Sequence, residues 1–230
     1  MKNLYFLIIL VSLTLFACNK VDNDIGIKNY FAVAGETDSI TYRTVNLNDT
    51  ITLESIRDIN YSVLIKHGMV YKINFDLHHT WRFGGTIHNY WSTLEVRSPM
   101  ELLVDTSMKT HDVYHYKQYP KKEITYVDSS QYLLKDTIPK WIDKGALIDK
   151  QVLWLTNFSC KLASYDEWIP NISDTLVTYG HTSYKGWLGL KNKYVGFRLV
   201  SPKDTIYGWL SMEVAGYNKI ILSSYSYRRD

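Results

Sequence analysis

The seven histidines are the first residues to test for chemistry. His111 and His115 are four apart, the spacing that brings two imidazoles to one zinc ion on a helix. The intervening Asp112-Val113-Tyr114 favours extended chain, in which four residues span about 13 Å and two ligands cannot share an ion. His78 and His79 are adjacent, so on a strand they point to opposite faces. No metal site is expected, and no cofactor. The chain has no Gly-rich phosphate loop, no Gly-x-Ser-x-Gly elbow and no His-Glu-x-x-His. Cys160 lies in Phe158-Ser159-Cys160-Lys161-Leu162, beside the apolar phase, and reads as a buried small hydrophobe. No base and orienter can be identified around it, as a nucleophile would need. Glu95 and Glu213 are each flanked by apolar residues and read as solvent-facing alternates of strands. No two carboxylates are marked as partners for work on a glycosidic bond. No catalytic residue is assigned.

Aromatic residues are a stronger signal. The chain holds seven Trp and nineteen Tyr, and planar rings with hydrogen-bonding edges are what sugar binding uses. The sharpest spot is Thr80-Trp81-Arg82-Phe83-Gly84-Gly85, which reads as a hairpin tip with two aromatics and a cation. His79, His88, Asn89, Tyr90 and Trp91 lie nearby in sequence. Trp81, Arg82, Phe83 and Trp91 are the candidate ligand-binding residues. The competing reading is that Tyr and Trp simply suit twisted antiparallel sheets.

Asp-Thr/Ser-aliphatic recurs at Asp38-Ser39-Ile40, Asp49-Thr50-Ile51, Asp136-Thr137-Ile138, Asp174-Thr175-Leu176 and Asp204-Thr205-Ile206. Composition alone predicts about one such tripeptide. Asp closing a turn before a β-branched strand opener explains the pattern structurally. The tripeptide also matches the O-glycosylation sequon of exported Bacteroidetes proteins. Ser39, Thr50, Thr137, Thr175 and Thr205 are therefore candidate glycan acceptors.

The elements that must position these residues have a period of two. Met69, Tyr71, Ile73, Phe75 and Leu77 share one face, and Lys72, Asn74 and Asp76 the other, as in a half-buried antiparallel strand. Shorter runs of this kind cover 39–45, 50–56, 61–66, 86–97, 123–127, 194–200, 207–214 and 219–227. Turn chemistry separates them at Asn46-Leu47-Asn48-Asp49, Phe83-Gly84-Gly85, Ser201-Pro202-Lys203-Asp204 and Ala215-Gly216-Tyr217-Asn218. The expected fold is all-β, an antiparallel two-sheet sandwich, jelly-roll-like. A single domain over 38–230 is expected, with an irregular insertion at about 98–145, where the sequence is polar and its alternation patchy.

The N-terminus has the parts of an export signal. Lys2 is followed by an apolar run from Leu4 to Phe16, shorter than the about 20 residues of a membrane-spanning helix. Leu15-Phe16-Ala17-Cys18 then resembles the lipobox of bacterial lipoproteins. This implies removal of residues 1–17, lipidation of Cys18 (a palmitate-bearing membrane anchor) and a tether over 18–37. The Asp22 to Asp24 stretch resembles a signal for surface display on the outer membrane. The net charge of +3 falls to +2 once Lys2 is removed. That is too small for a nucleic-acid binder, which needs a concentrated basic face. With Cys18 acylated, Cys160 stands alone and no internal disulfide can form.

The C-terminal third carries a longer pattern: Tyr194-Val195-Gly196-Phe197-Arg198-Leu199, a Pro-containing turn, Tyr207-Gly208-Trp209-Leu210-Ser211-Met212-Glu213-Val214, and Ile220 to Tyr227. Over about 144–228 it resembles uncharacterised lipid-anchored and secreted β-sandwich proteins of Bacteroidetes. Lys144-Gly145-Ala146-Leu147-Ile148-Asp149 fits the Gly-containing turn before those strands. Related proteins carry an Asp-rich turn where this chain has Ile65-Lys66-His67-Gly68-Met69-Val70, which lacks the carboxylates a calcium ion would need. The resemblance implies fold and location, not activity. The expectation is a membrane-anchored binding module of the cell envelope, for a glycan or an envelope protein. A polysaccharide hydrolase with unrecognised acids and a structural subunit of a surface complex are the alternatives.

Overall fold

The computed structural model describes residues 31–54, 57–82, 87–118, 124–148, 152–172 and 177–229, and these contain strands and turns but no helix. Residues 1–30, which include the expected signal segment and Cys18, lie outside them. In chain order the strands are β1 (Ala32–Val33), β2 (Tyr42–Thr52), β3 (Ile59–His67), β4 (Met69–Arg82), β5 (Ile87–Val96), β6 (Met100–Gln118), β7 (Ile124–Pro139), β8 (Trp141–Ile142), β9 (Leu147–Ile148), β10 (Trp154–Leu155), β11 (Phe158–Ile172), β12 (Val177–Tyr184), β13 (Lys193–Val200), β14 (Thr205–Gly216) and β15 (Lys219–Arg228).

The expected antiparallel sandwich forms. Its first sheet runs β2-β15-β14-β13-β6, and its second β6-β12-β11-β5-β4-β3, with β7 along the other edge of β6. One strand serves both sheets. Met100 to Leu102 of β6 pair with β13, and His111 to Gln118 pair with β12. Alternation along β4 and β14 buries Tyr71, Ile73, Phe75, Leu210, Met212 and Val214 between the sheets, as the sequence predicts. Met69, expected on that face, is instead half exposed, because it opens β4 at the Gly68 turn, where the core ends.

A second, smaller core covers the outer face of the first sheet. Tyr207 and Trp209 point into it and meet Ala32, Ala34, Tyr42, Leu103, Ile142 and Ile148. This double burial explains why Ile206 to Leu210 are all buried, as in a strand covered on both faces. It also moves the domain boundary. The tether expected over 18–37 cannot extend past about residue 31, because Ala32 and Ala34 are fully buried. Ala34 exchanges backbone hydrogen bonds with Ala146 and Gly145 (2.9 and 2.8 Å). Gly145 makes that exchange at a φ of 85°, where a side chain would be strained.

The tight spots of the C-terminal pattern have packing causes. A Cβ on Gly208 would sit 2.5 Å from Phe197 Cε2 and from the Ser226 carbonyl oxygen. One on Gly196 would meet Leu103 Cδ2 at 3.0 Å. Arg198 pairs with Glu101 and lies 4.9 Å over the Trp154 ring.

Two further expectations are corrected. Asn46 to Asp49 form no turn. They lie inside β2 as a bulge, with Asn46 opposite Ser224 and Asp49 opposite Leu222, and Asn48 takes the left-handed φ of 52°. The described residues of 98–145 are regular, since β6 and β7 pair from Val104↔Pro139 to Gln118↔Ile124. Their alternation is patchy because pairing on both edges of β6 holds the outer part of that ladder.

Tyrosine hydroxyls fasten the edges of the sandwich. Tyr225 and Tyr227 of β15 donate to the carbonyls of Leu64 (3.1 Å) and Lys66 (2.8 Å) on edge strand β3. Tyr61 donates to Asp49 of β2, which pushes the phenol up to about 12, chiefly through that hydrogen bond.

Candidate functional site: an aromatic shelf at one end of the sandwich

The second sheet outruns the first. The first sheet turns back at Gly216↔Lys219, whereas β4, β5 and β11 continue past the level of Tyr90↔Tyr165 to Arg82, Ile87 and Ile172. At the step between them lies an open depression of about 360 Å³ lined by Tyr90, Tyr165, Gly216, Tyr217 and Asn218. Each tyrosine comes from a different element: Tyr90 from β5, Tyr165 from β11, and Tyr217 from the β14–β15 turn.

Register assembles this shelf. A bulge between Lys161 and Ala163 resets the alternation of β11, so that Tyr165 stands opposite Tyr90 on one side and Ser183 on the other. The Tyr165 ring is 5.6 Å from that of Tyr217 and 5.3 Å from that of His181, tilted 38° and 31°. His79 stacks on Tyr90 at 4.1 Å and 7°. The turn is held in place from below, since Asn218 donates its side-chain amide to the Leu53 carbonyl (3.2 Å) and Leu53 N–H donates to the Asn218 carbonyl (2.9 Å). Half-buried rings fixed by backbone pairing lose little freedom on binding, which favours them as contact surface.

Burial raises the pKa of Asp166, next to Tyr165, more than the Lys161 charge lowers it. Cys160 is buried, and loss of water drives its thiol far upward, as a structural cysteine requires and a nucleophile does not. It borders a slot with Asp136, Thr137, Lys161 and Tyr184. Burial and the nearby Asp136 charge raise the Tyr184 phenol. Among the described residues no group of three His, Cys, Asp or Glu side chains could hold a metal ion.

The residues singled out in the sequence are only partly brought together. Trp91 stands opposite His78, and their rings stack at 4.9 Å and 19°, with His78 also 3.1 Å from Asp58. The Trp81 position pairs with His88 and the Arg82 position with Ile87. Trp81 lies three rungs further along the β4–β5 ladder than the His78↔Trp91 pair. Phe83 lies outside the described residues. Of the acceptor candidates, Ser39 is exposed in a turn where Asp38 accepts from Ile40 N–H, Thr41 N–H and Thr41 Oγ1. The Thr41 hydroxyl bond, followed by the Ile40 N–H bond, holds the Asp38 carboxyl below its usual range. Thr50 is exposed on β2, Thr137 is half buried beside Thr106 (3.1 Å between hydroxyls), and Thr205 is half buried at the start of β14. Thr175 lies outside the described residues.

Reasoning from sequence missed Tyr165 and Tyr217. Tyr217 carried a signal, an aromatic in the middle of a Gly-Tyr-Asn turn, whereas Tyr165 is hidden by the bulge that shifts its strand's alternation. No protein-family model, no curated protein and no solved structure matches this chain.

Proposed function

We propose that this protein is a membrane-anchored lipoprotein of the bacterial cell envelope whose β-sandwich captures a glycan on the shelf of Tyr90, Tyr165 and Tyr217. The observation that carries the reading is the convergence of three half-buried tyrosines around one open depression. Sugar rings present faces of C–H bonds that pack on aromatic rings, and hydroxyls that the phenols and Asn218 can reach. The lipobox Leu15 to Cys18 and the resemblance over 144–228 to lipid-anchored Bacteroidetes proteins support the envelope location.

The test is a glycan array probed with residues 18–230 carrying Cys18→Ser, which removes the acyl chain. Tyr165→Ala and Tyr217→Ala should each lose most of the signal, because a ring at the centre of a small contact carries much of its energy. Trp81→Ala should retain it. Retention by both tyrosine variants with loss in Trp81→Ala would return the site to the hairpin tip. Turnover of a bound polysaccharide that stops in Asp166→Asn would make the domain a hydrolase instead. The anchor is tested separately, since Cys18→Ser in cells should release the protein from the membrane fraction.

A further inference from the structure

We infer that the end of the sandwich opposite the shelf is a docking surface for anionic lipid headgroups, the membrane to which the chain is tethered. This rests on the lipoprotein reading for the tether, and on the following geometry for the surface. The chain enters the fold at Phe31, thirteen residues after Cys18, so the domain can stand at most about 45 Å from its anchor.

Phe31 sits against β15: its carbonyl accepts from the Arg228 guanidinium at 3.4 Å, and that guanidinium lies 5.3 Å over the Phe31 ring. Arg229 donates to the Tyr42 carbonyl (3.1 Å), and its N–H donates to the Thr41 carbonyl (2.8 Å). Arg43, exposed, pairs with Tyr227 in the β2–β15 ladder. Tyr227 in turn reaches the β3–β4 hairpin, donating to the Lys66 carbonyl and lying 5.7 Å from the His67 ring. Arg228 and Arg229 thus stand where the tether arrives, with Arg43 beside them in the ladder and Lys66 at the same end of the sandwich on β3. Carboxylates of this end include Glu36, Asp38 and, in the β13–β14 turn, Asp204; Asp38 already accepts from Thr41 and Ile40 and feels the Arg229 charge.

Apolar side chains project from the same end. Ile40, in the turn ahead of β2, is 85% exposed, and Met69 and Val70 of the β3–β4 hairpin are 49% and 58% exposed. Exposed aliphatic residues interspersed with arginine and lysine fit a headgroup layer, which offers phosphate to the cations and acyl chain to the aliphatics. The shelf lies at the other end of the same ladder, beyond Thr52↔Lys219. Docking this way presents the tyrosines to the side facing away from the membrane.

The experiment uses residues 18–230 with Cys18→Ser, so that binding is independent of the lipid, and vesicles of phosphatidylcholine with or without 30% phosphatidylglycerol. Co-sedimentation is expected with the anionic vesicles only, and should fall more than tenfold between 0.1 and 0.5 M salt. Arg43→Ala should lower the partition coefficient about fivefold, the share of one basic residue at a charged surface. Ile40→Asp should lower it further, with thermal melts unchanged because both side chains are exposed. Absence of binding to either vesicle, or equal binding by wild type and both variants, would overturn the docking surface. Such a result would leave the anchor untouched, which stands or falls on fractionation of Cys18→Ser in cells.

Discussion

Trp187 and Trp209 form a matched pair, because both indoles are buried to 1% exposure or less and each meets one other ring edge-on. They differ in one bond. Trp187 donates its Nε1–H to the Pro139 carbonyl at 2.8 Å, whereas Trp209 Nε1 has no acceptor among the described residues. Replacing either by Phe removes about 40 Å³, which at the usual cavity cost amounts to about 1 kcal/mol. In Trp187→Phe the Pro139 carbonyl loses its partner as well, adding about 1–3 kcal/mol. In Trp209→Phe a buried, unbonded donor disappears, which offsets part of the cavity cost. Urea denaturation at 25 °C should therefore rank Trp187→Phe as the more destabilised by about 1–2 kcal/mol or more, with unchanged m values. Trp209→Ala should cost about 3–5 kcal/mol, since it empties the second core. Equal losses for the two Phe variants, or the reverse order, would refute the claim that the bond to Pro139 separates them.

Gly208→Ala should destabilise the domain by about 3 kcal/mol in the same assay, because the new methyl meets a backbone oxygen that the β14–β15 ladder holds in place. Tyr227→Phe should cost about 1 kcal/mol, the net worth of its bond to Lys66. The folded state raises the Asp166 pKa, so it binds that proton more tightly than the unfolded chain and loses stability as pH rises from the unfolded value of about 3.9 through the folded one. Asp166→Asn should accordingly stabilise the protein at neutral pH, a gain that melts recorded below the unfolded pKa should not show. If native protein carries O-linked glycans, peptide mapping should find them at Ser39 and Thr50, the exposed acceptors, before Thr137 or Thr205.

The sandwich was legible because β4 from Tyr71 to Leu77, and β14 from Leu210 to Val214, alternate apolar and polar residues over a core that covers one face. Legibility failed where covering and pairing part company. Residues 111–118 of β6 are paired on both edges without a run of apolar alternates, so no period marks them. In β11 the bulge after Lys161 swaps the faces in mid-strand, and a fixed period of two runs out there. The Asp-Thr/Ser tripeptides mislead in the other direction. Asp38 and Asp204 do close turns, but Asp49 and Asp136 lie inside strands, where β pairing overrides the local preference of the carboxylate. For the site, the sequence contained the chemistry, an excess of tyrosine, but not the address. Tyr90, Tyr165 and Tyr217 are brought together by pairings between segments tens of residues apart.

The β2–β15 ladder also sets how the molecule bears force. It runs from Tyr42↔Arg228, beside the point where the chain enters, to Thr52↔Lys219, beside the shelf. A pull applied at Phe31 and resisted by something held at Tyr217 acts along the strands, so it slides β2 past β15 instead of peeling it away. In that geometry the rungs of the ladder are loaded together, and none can be opened one at a time. The Tyr61 bond to Asp49 ties the same strand sideways to β3 and adds an attachment that sliding must also break.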